Sequence, residues 1–171
     1  MQFGCMPKVQ KRLKIESLPS PAPIDPCFCW DIDTFTYNGH NVILATNWSN
    51  WYSVLLYGVK GREWERLPDM LRRRIRESFK MEEIPKDKID RYFSLAGKVE
   101  LTGTHGYDSM VGLELAREAF YLPFSAVPLD YKKRYIPWKE ANINHFPSDV
   151  PENKERAAPL DFLLYDLEHL P

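Results

Sequence analysis

The sequence predicts an α+β fold: an antiparallel β-meander packed against two to four helices, with a Pro-rich C-terminal segment on the surface. Three observations carry this. Between Phe28 and Tyr57, aromatic and β-branched residues form three runs separated by turn residues. From Leu67 the apolar spacing lengthens to every fourth residue, at Leu67, Leu71, Ile75 and Phe79, which is one face of a helix. The order of strands, helices, strand and helix is not a regular βαβ repeat, and no internal repeat is visible. Residues 1–171 read as a single domain, with a core over about 1–122 and a wrapping segment and terminal helix over 123–171.

The elements follow in order. Gln2–Cys5 reads as a short strand, and "PKVQKRLK" as one or two helical turns with Val9 and Leu13 four apart. "PSPAPIDP" has four prolines in eight residues, which removes four backbone donors and leaves an extended connection. "CFCWDIDTFTY" alternates through Phe28, Trp30 and Ile32 as a strand. Asn38-Gly39 suits a two-residue hairpin turn, because both positions need positive φ. "NVILAT" returns, "NWSN" turns again, and "WYSVLLYG" forms the third strand.

A helix follows, starting near Leu67 with Pro68 in its first turn. On its wheel Arg72, Arg73 and Arg76 face away from the apolar stripe. A shorter helix runs from Pro85 to about Ala96 with Gly97 as a left-handed stop. "KVELTG" is a strand. "YDSMVGLELAREAF" is a helix capped by Asp108 or Ser109, with Val111 and Leu115 inward. "APLDFLLYDLEHL" closes the chain as an amphipathic helix.

Composition narrows the function classes. Net charge is −1, so the whole chain is not an electrostatic nucleic-acid binder. The charge is uneven: Lys60 to Lys80 carries net +4 and Ser148 to Pro171 net −4, which reads as two solvated faces that complement each other. The opening residues show no secretory leader, and no run is long enough for a membrane helix. The expectation is a cytoplasmic protein with no membrane contact and with Cys5, Cys27 and Cys29 as free thiols.

Candidate chemistry is thin. Cys27 and Cys29 lie two apart on a strand, about 6.6 Å between successive same-face positions. That is too far for two thiolates on one zinc without a bulge, so they read as core residues and no metal or cofactor is expected. Gly103, Thr104, His105 and Gly106 lie between a strand and a helix start, where amides can meet an anion or ligand; Asp108 opposes this. Asp31 and Asp33 alternate with Trp30 and Ile32 and read as a half-exposed strand face. The histidines read as surface or loop residues. No nucleophile or metal motif appears, and no catalytic residue is assigned. Arg72, Arg73 and Arg76 form the main electrostatic patch. Trp48 and Trp51, beside a turn, read first as cover for the end of the core and second as an interface.

"FCWDIDTFTYNGHNVILATNWSNWYSVLLYGVKGREWERLPDMLRRRIRESF" resembles the core of a small bacterial domain family of unknown function. Trp30, Asn47, Asn50, Tyr57 and Gly58 carry the likeness. It extends through "AGKVELTGTHGYDSMVG" to Trp138, Asn142 and Pro159. The chain departs from that family at Asp31, where His is common, and at Tyr107-Asp108, where Asp-Arg is common. The resemblance implies a fold, and a mobile-element context through a plasmid open-reading-frame-3-like module that sometimes follows such domains; it supplies no activity. The function expected is a non-enzymatic protein–protein interaction or regulatory protein of mobile-element, phage or defence origin. The alternatives are nucleic-acid binding through the Arg helix face and a small enzyme or ligand-binding domain using the loop near His105.

Overall fold

The computed structural model describes residues 1–122, 137–147 and 157–170. Its strands are β1 (Gln2–Cys5), β2 (Cys29–Tyr37), β3 (His40–Asn47), β4 (Ser53–Tyr57) and β5 (Glu100–Thr102). Its α-helices are α1 (Pro7–Leu13), α2 (Leu67–Met81), α3 (Lys86–Leu95), α4 (Tyr107–Tyr121), α5 (Pro137–Asn144) and α6 (Pro159–Glu168), and a 3-10 helix spans Gly61–Arg66. The fold is α+β.

The meander is real but is only part of the sheet. Strands β2, β3 and β4 are antiparallel neighbours. The Asn38-Gly39 turn closes the first hairpin with φ of 48° and 75°, and Tyr37 pairs with His40. Strands β1 and β5 extend the sheet in the order β4-β3-β2-β1-β5, and β1 runs parallel to both of its neighbours. The sheet is therefore mixed. The short β1 carries too little pattern to reveal an interior position, and strand direction is decided by long connections.

One face of the sheet is packed as the stripe requires. Leu67, Leu71, Ile75 and Phe79 are all buried against Phe3, Trp30, Ile32, Ile43 and Val54. Tyr92 of α3 sits beneath them, its hydroxyl accepting from Trp30 Nε1 at 3.0 Å and donating to the Cys27 carbonyl at 2.8 Å. Both aromatic polar ends are thus satisfied inside the core. Gly97 stops the chain after α3 with φ 62°.

The opposite face departs from the sequence reading. It is covered by α4 and α5, giving six α-helices among the described residues rather than two to four. Helix α4 starts after Gly106 with no side-chain cap, and neither Asp108 nor Ser109 performs that role. It is also rotated from the expected face: Leu115 is exposed, while Ser109, Gly112, Leu113, Ala116 and Phe120 are buried. Small residues permit this approach. A Cβ on Gly112 would lie 2.6 Å from Trp51 Cδ1. Helix α5 was not anticipated, because Pro137 opens a segment with weak periodicity. Most of the Pro-rich segment expected on the surface lies outside the described residues.

Candidate functional site

The turn between β3 and β4 answers why two tryptophans sit there. Asn47 Oδ1 accepts from Ser49 N at 2.9 Å, and Asn50 Oδ1 accepts from Tyr52 N at 2.9 Å, so asparagine side chains replace missing strand partners. Trp51 adopts φ 58° and is buried beside Phe162. It also floors a groove of about 440 Å³ between α4, α5 and the start of α6. Trp48 is half-buried and stacks on His105, ring centroids 5.7 Å apart.

That stack covers a polar clamp. On the α4 side of the sheet Thr102, Gly4, Asp31, Thr46 and Ser53 form one transverse row, register neighbours across all five strands. Asp31 is not a solvated strand residue: it is fully buried, as is the His105 side chain. His105 Nδ1 lies 2.6 Å from Asp31 Oδ1, and the His105 backbone N–H donates to Asp31 Oδ2 at 3.1 Å. In the amide orientation that satisfies both of its ends, Gln2 Nε2 donates to His105 Nε2 at 3.2 Å and to the Ala22 carbonyl at 3.3 Å. The network assigns the ring proton to Nδ1, facing the carboxylate.

Gly4 makes this possible, since a Cβ there would fall 1.8 Å from Asp31 Oδ1. The Gly103–Gly106 loop therefore already meets an anion, the chain's own Asp31, through His105. Gly103 N–H is also engaged, with the Pro19 carbonyl at 2.9 Å. Thr104 is half-buried and Gly106 exposed. The clamp ties the β5–α4 loop to β1, β2 and the Pro-rich connection, and both ring nitrogens of His105 are used internally. Asp33, also buried, lies 3.5 Å from Arg117 of α4.

The Arg face of α2 does look outward, but most of it is occupied. Arg72 donates to the Gly97 and Phe93 carbonyls at 2.7 and 3.1 Å. Arg76 donates to Asp90 at 2.7 Å and lies over the Phe93 ring. The Asp90 carboxyl is held below its usual range by Lys86 and Arg76. Arg73 is exposed. The fourth arginine of the run, Arg74, is buried in an ion pair with Glu140 of α5.

Glu140 and Asn144 together close the sheet edge at β4. Leu55 N–H donates to Glu140 Oε1 at 2.6 Å, and the Asn144 amide bonds both the N–H and the C=O of Ser53 at 2.8 Å. A helix thus supplies, through side chains, the partners an edge strand lacks. Burial pushes the Glu140 carboxyl up to about 7, opposed by Arg74 and the Leu55 amide. The thiols of Cys5 and Cys29 are pushed up to about 12, chiefly by burial, and that of Cys27 is raised further. They are inert core groups.

A second basic surface was missed. Two adjoining cavities, about 590 and 670 Å³, meet at Arg12 and Asn41. The first lies between α1 and the 3-10 helix, the second between α1 and β2. Among the described residues they carry six cations, Lys8, Lys11, Arg12, Lys14, Lys60 and Arg62, against one carboxylate, Glu65. All six are exposed. Among the described residues the ion pairs lie elsewhere, such as Arg74–Glu140, Arg76–Asp90, Lys88–Glu168 and Arg117–Asp33. The described part of the acidic C-terminal end lies away from this surface. Helix α6 packs against α3 and α5, and its Glu168 pairs with Lys88. The signal in "PKVQKRLK" was the four cations around buried Val9; their meeting with Lys60 and Arg62 needed the fold.

A mixed sheet with a helical layer on each face, a sealed polar clamp and an open cationic cleft defines an α+β domain whose buried charges, Asp31, Arg74 and Glu140 among them, serve the fold. The chain belongs to the family described as a domain of unknown function, DUF6933, whose model matches residues 2–160. No curated protein matches it. Among the described residues no helix is long and apolar enough to cross a membrane.

Proposed function

We propose that this chain is a non-enzymatic binding protein whose partner is polyanionic and lies in the cleft between α1 and the 3-10 helix. The observation that carries this is the cluster of six exposed cations with a single lining carboxylate. Like charges held together cost free energy through repulsion, and an anionic partner relieves it. The clamp at Asp31 and His105 supports the same reading, because both ring nitrogens already serve the fold. Retention on immobilised heparin tests it. The wild-type chain is expected to be retained at low salt and released as salt rises, and Lys11→Glu/Arg12→Glu to elute at clearly lower salt. Equal elution of the two, or no retention, overturns the reading.

A further inference from the structure

We propose that the polyanion is the sugar–phosphate backbone of a nucleic acid, bound without base readout; this rests on the polyanion reading above. Three features of the cleft select this partner over an acidic protein.

The first is the lack of an apolar anchor. Stable protein interfaces are centred on a desolvated aromatic or aliphatic residue in a pocket. Here the aromatic in the first cavity, Trp64, is 6% exposed, and the Arg12 guanidinium lies over its ring at 5.9 Å from the centroid. In the second, Phe35 is half-buried and packs on Phe120 and Tyr121. A partner receives charge and hydrogen bonds from this surface, and its apolar contact is confined to the half-buried Leu13 and Phe35 and the stems of the cations. Phosphodiesters bind on those terms, since cation–phosphate contacts with counterion release supply essentially all of non-specific affinity.

The second feature is distribution. The cations do not converge on one anion hole. Lys8, Lys11 and Arg12 lie on one side of α1, three and four residues apart, and Lys60 and Arg62 form the facing wall. Two cavities side by side, joined at Arg12 and Asn41, form a track rather than a pocket. A repeating anion matches a track. The exposed Thr36 adds a neutral donor along it, which suits phosphate and sugar oxygens, whereas Thr34 and Asn41 donate to the Val42 and Val59 carbonyls.

The third is the absence of exposed stacking platforms in the described lining. Base-tolerant single-strand binders stack bases on exposed aromatics, and base reading in a duplex needs an element that enters a groove. The seven-residue α1 is flanked by the 3-10 helix and offers Arg12 and the half-buried Leu13 to the first cavity and Lys8, Lys11 and Arg12 to the second, with no exposed aromatic. Contacts of this kind fix position and carry no sequence information.

Fluorescence anisotropy with labelled oligonucleotides of two unrelated sequences, each as DNA and RNA, single-stranded and duplex, tests the inference on the full chain. Poly-glutamate serves as the acidic-polypeptide probe and heparin as the general polyanion. The expected result is binding that differs by less than about threefold between sequences and falls steeply between 50 and 200 mM salt, with a log–log slope of roughly −0.7 to −0.9 per phosphate neutralised. Lys11→Glu/Arg12→Glu and, separately, Lys60→Glu/Arg62→Glu are each expected to weaken binding about tenfold or more and to make the slope shallower by roughly one for each phosphate-bound cation replaced. All four side chains are exposed, and a circular-dichroism melt confirms that each variant folds. Because the pairs lie on opposite walls, one misfolded variant leaves the other decisive.

Binding of heparin or poly-glutamate but of no oligonucleotide overturns this inference and leaves the polyanion reading standing. Binding of none overturns both. Undiminished oligonucleotide binding by both variants removes the cleft as the site. A sequence preference above about tenfold overturns the absence of base readout.

Discussion

The two faces of the sheet differ in what they bury: both hold an apolar cluster, and only one adds a polar row. Beneath α2 and α3 the contact is dry: Leu67, Leu71, Ile75 and Phe79 meet Ile32, Ile43 and Val54, and the few polar ends are satisfied in pairs such as Trp30 with Tyr92. Beneath α4 an apolar cluster of Val42, Leu44, Leu55 and Tyr57 against Leu113, Ala116 and Phe120 adjoins the polar row of Asp31, Thr46 and Ser53, which reaches the same depth of burial by hydrogen bonding. On the first face stability scales with apolar area and tolerates no missing volume. In the polar row of the second it depends also on Asp31, Thr46 and Ser53 keeping their partners, because an orphaned buried group costs its full desolvation. A strand with polar alternation is therefore not evidence of solvent; a second helical layer can cover it.

The largest effect expected from breaking this comparison is on the dry face. Phe79→Ala removes a fully buried ring and is expected to lower unfolding stability by about 3–5 kcal/mol in denaturant titration. A loss below about 1 kcal/mol would show that the face is not packed as described.

Next comes the edge of the polar face. Because burial raises the Glu140 carboxyl from its ordinary 4.5 to about 7, the folded chain binds that proton more tightly than the unfolded one. The associated stability is present below the ordinary value and is lost as pH rises through about 7, on the order of 3 kcal/mol at most. Glu140→Gln keeps the shape of the protonated side chain but cannot titrate, so it carries none of this pH dependence. The stability of wild type minus that of Glu140→Gln, followed from pH 5 to 8, is expected to fall as pH rises. A difference that is constant across that range would assign the raised carboxyl no part in stability.

The smallest of the three sits at the clamp. Asp31→Asn keeps the shape of the side chain and removes the charge that His105 meets twice, at Nδ1 and at its backbone amide. A cost of about 2 kcal/mol is expected, with faster amide exchange in the β5–α4 loop than in α2. Loop exchange no faster in Asp31→Asn than in wild type would mean that the clamp does not hold the loop.

The dry face was legible from residues alone. A four-residue spacing of Leu67, Leu71, Ile75 and Phe79 has one geometric solution on a helix, and Asn38-Gly39 admits the positive φ that an L-residue otherwise resists. The polar face was not, since Asp31 reads identically whether water or His105 lies above it. One signal was available: a glycine inside the strand "QFGC" marks a close approach, and that approach is to Asp31. The arginine run was read in part. Helical geometry turned Arg72, Arg73 and Arg76 outward, but the packing of α3 against α2 decided that Arg72 and Arg76 fold onto it, Arg72 at its C-terminal end and Arg76 at Asp90.

By itself, then, the sequence determined what depends on near neighbours: the helix stripe, the hairpin turn and the extended Pro-rich connection, all set by dihedral preference and periodicity over a few residues. Tertiary structure decided what depends on residues far apart along the chain. It placed β1 in parallel between β2 and β5, buried Asp31 against His105, laid Glu140 and Asn144 along the β4 edge, and brought α1 up to Lys60 and Arg62. The physical reason is that a charged or polar side chain has no intrinsic preference between water and a well-placed partner; only the surrounding fold determines which one it meets.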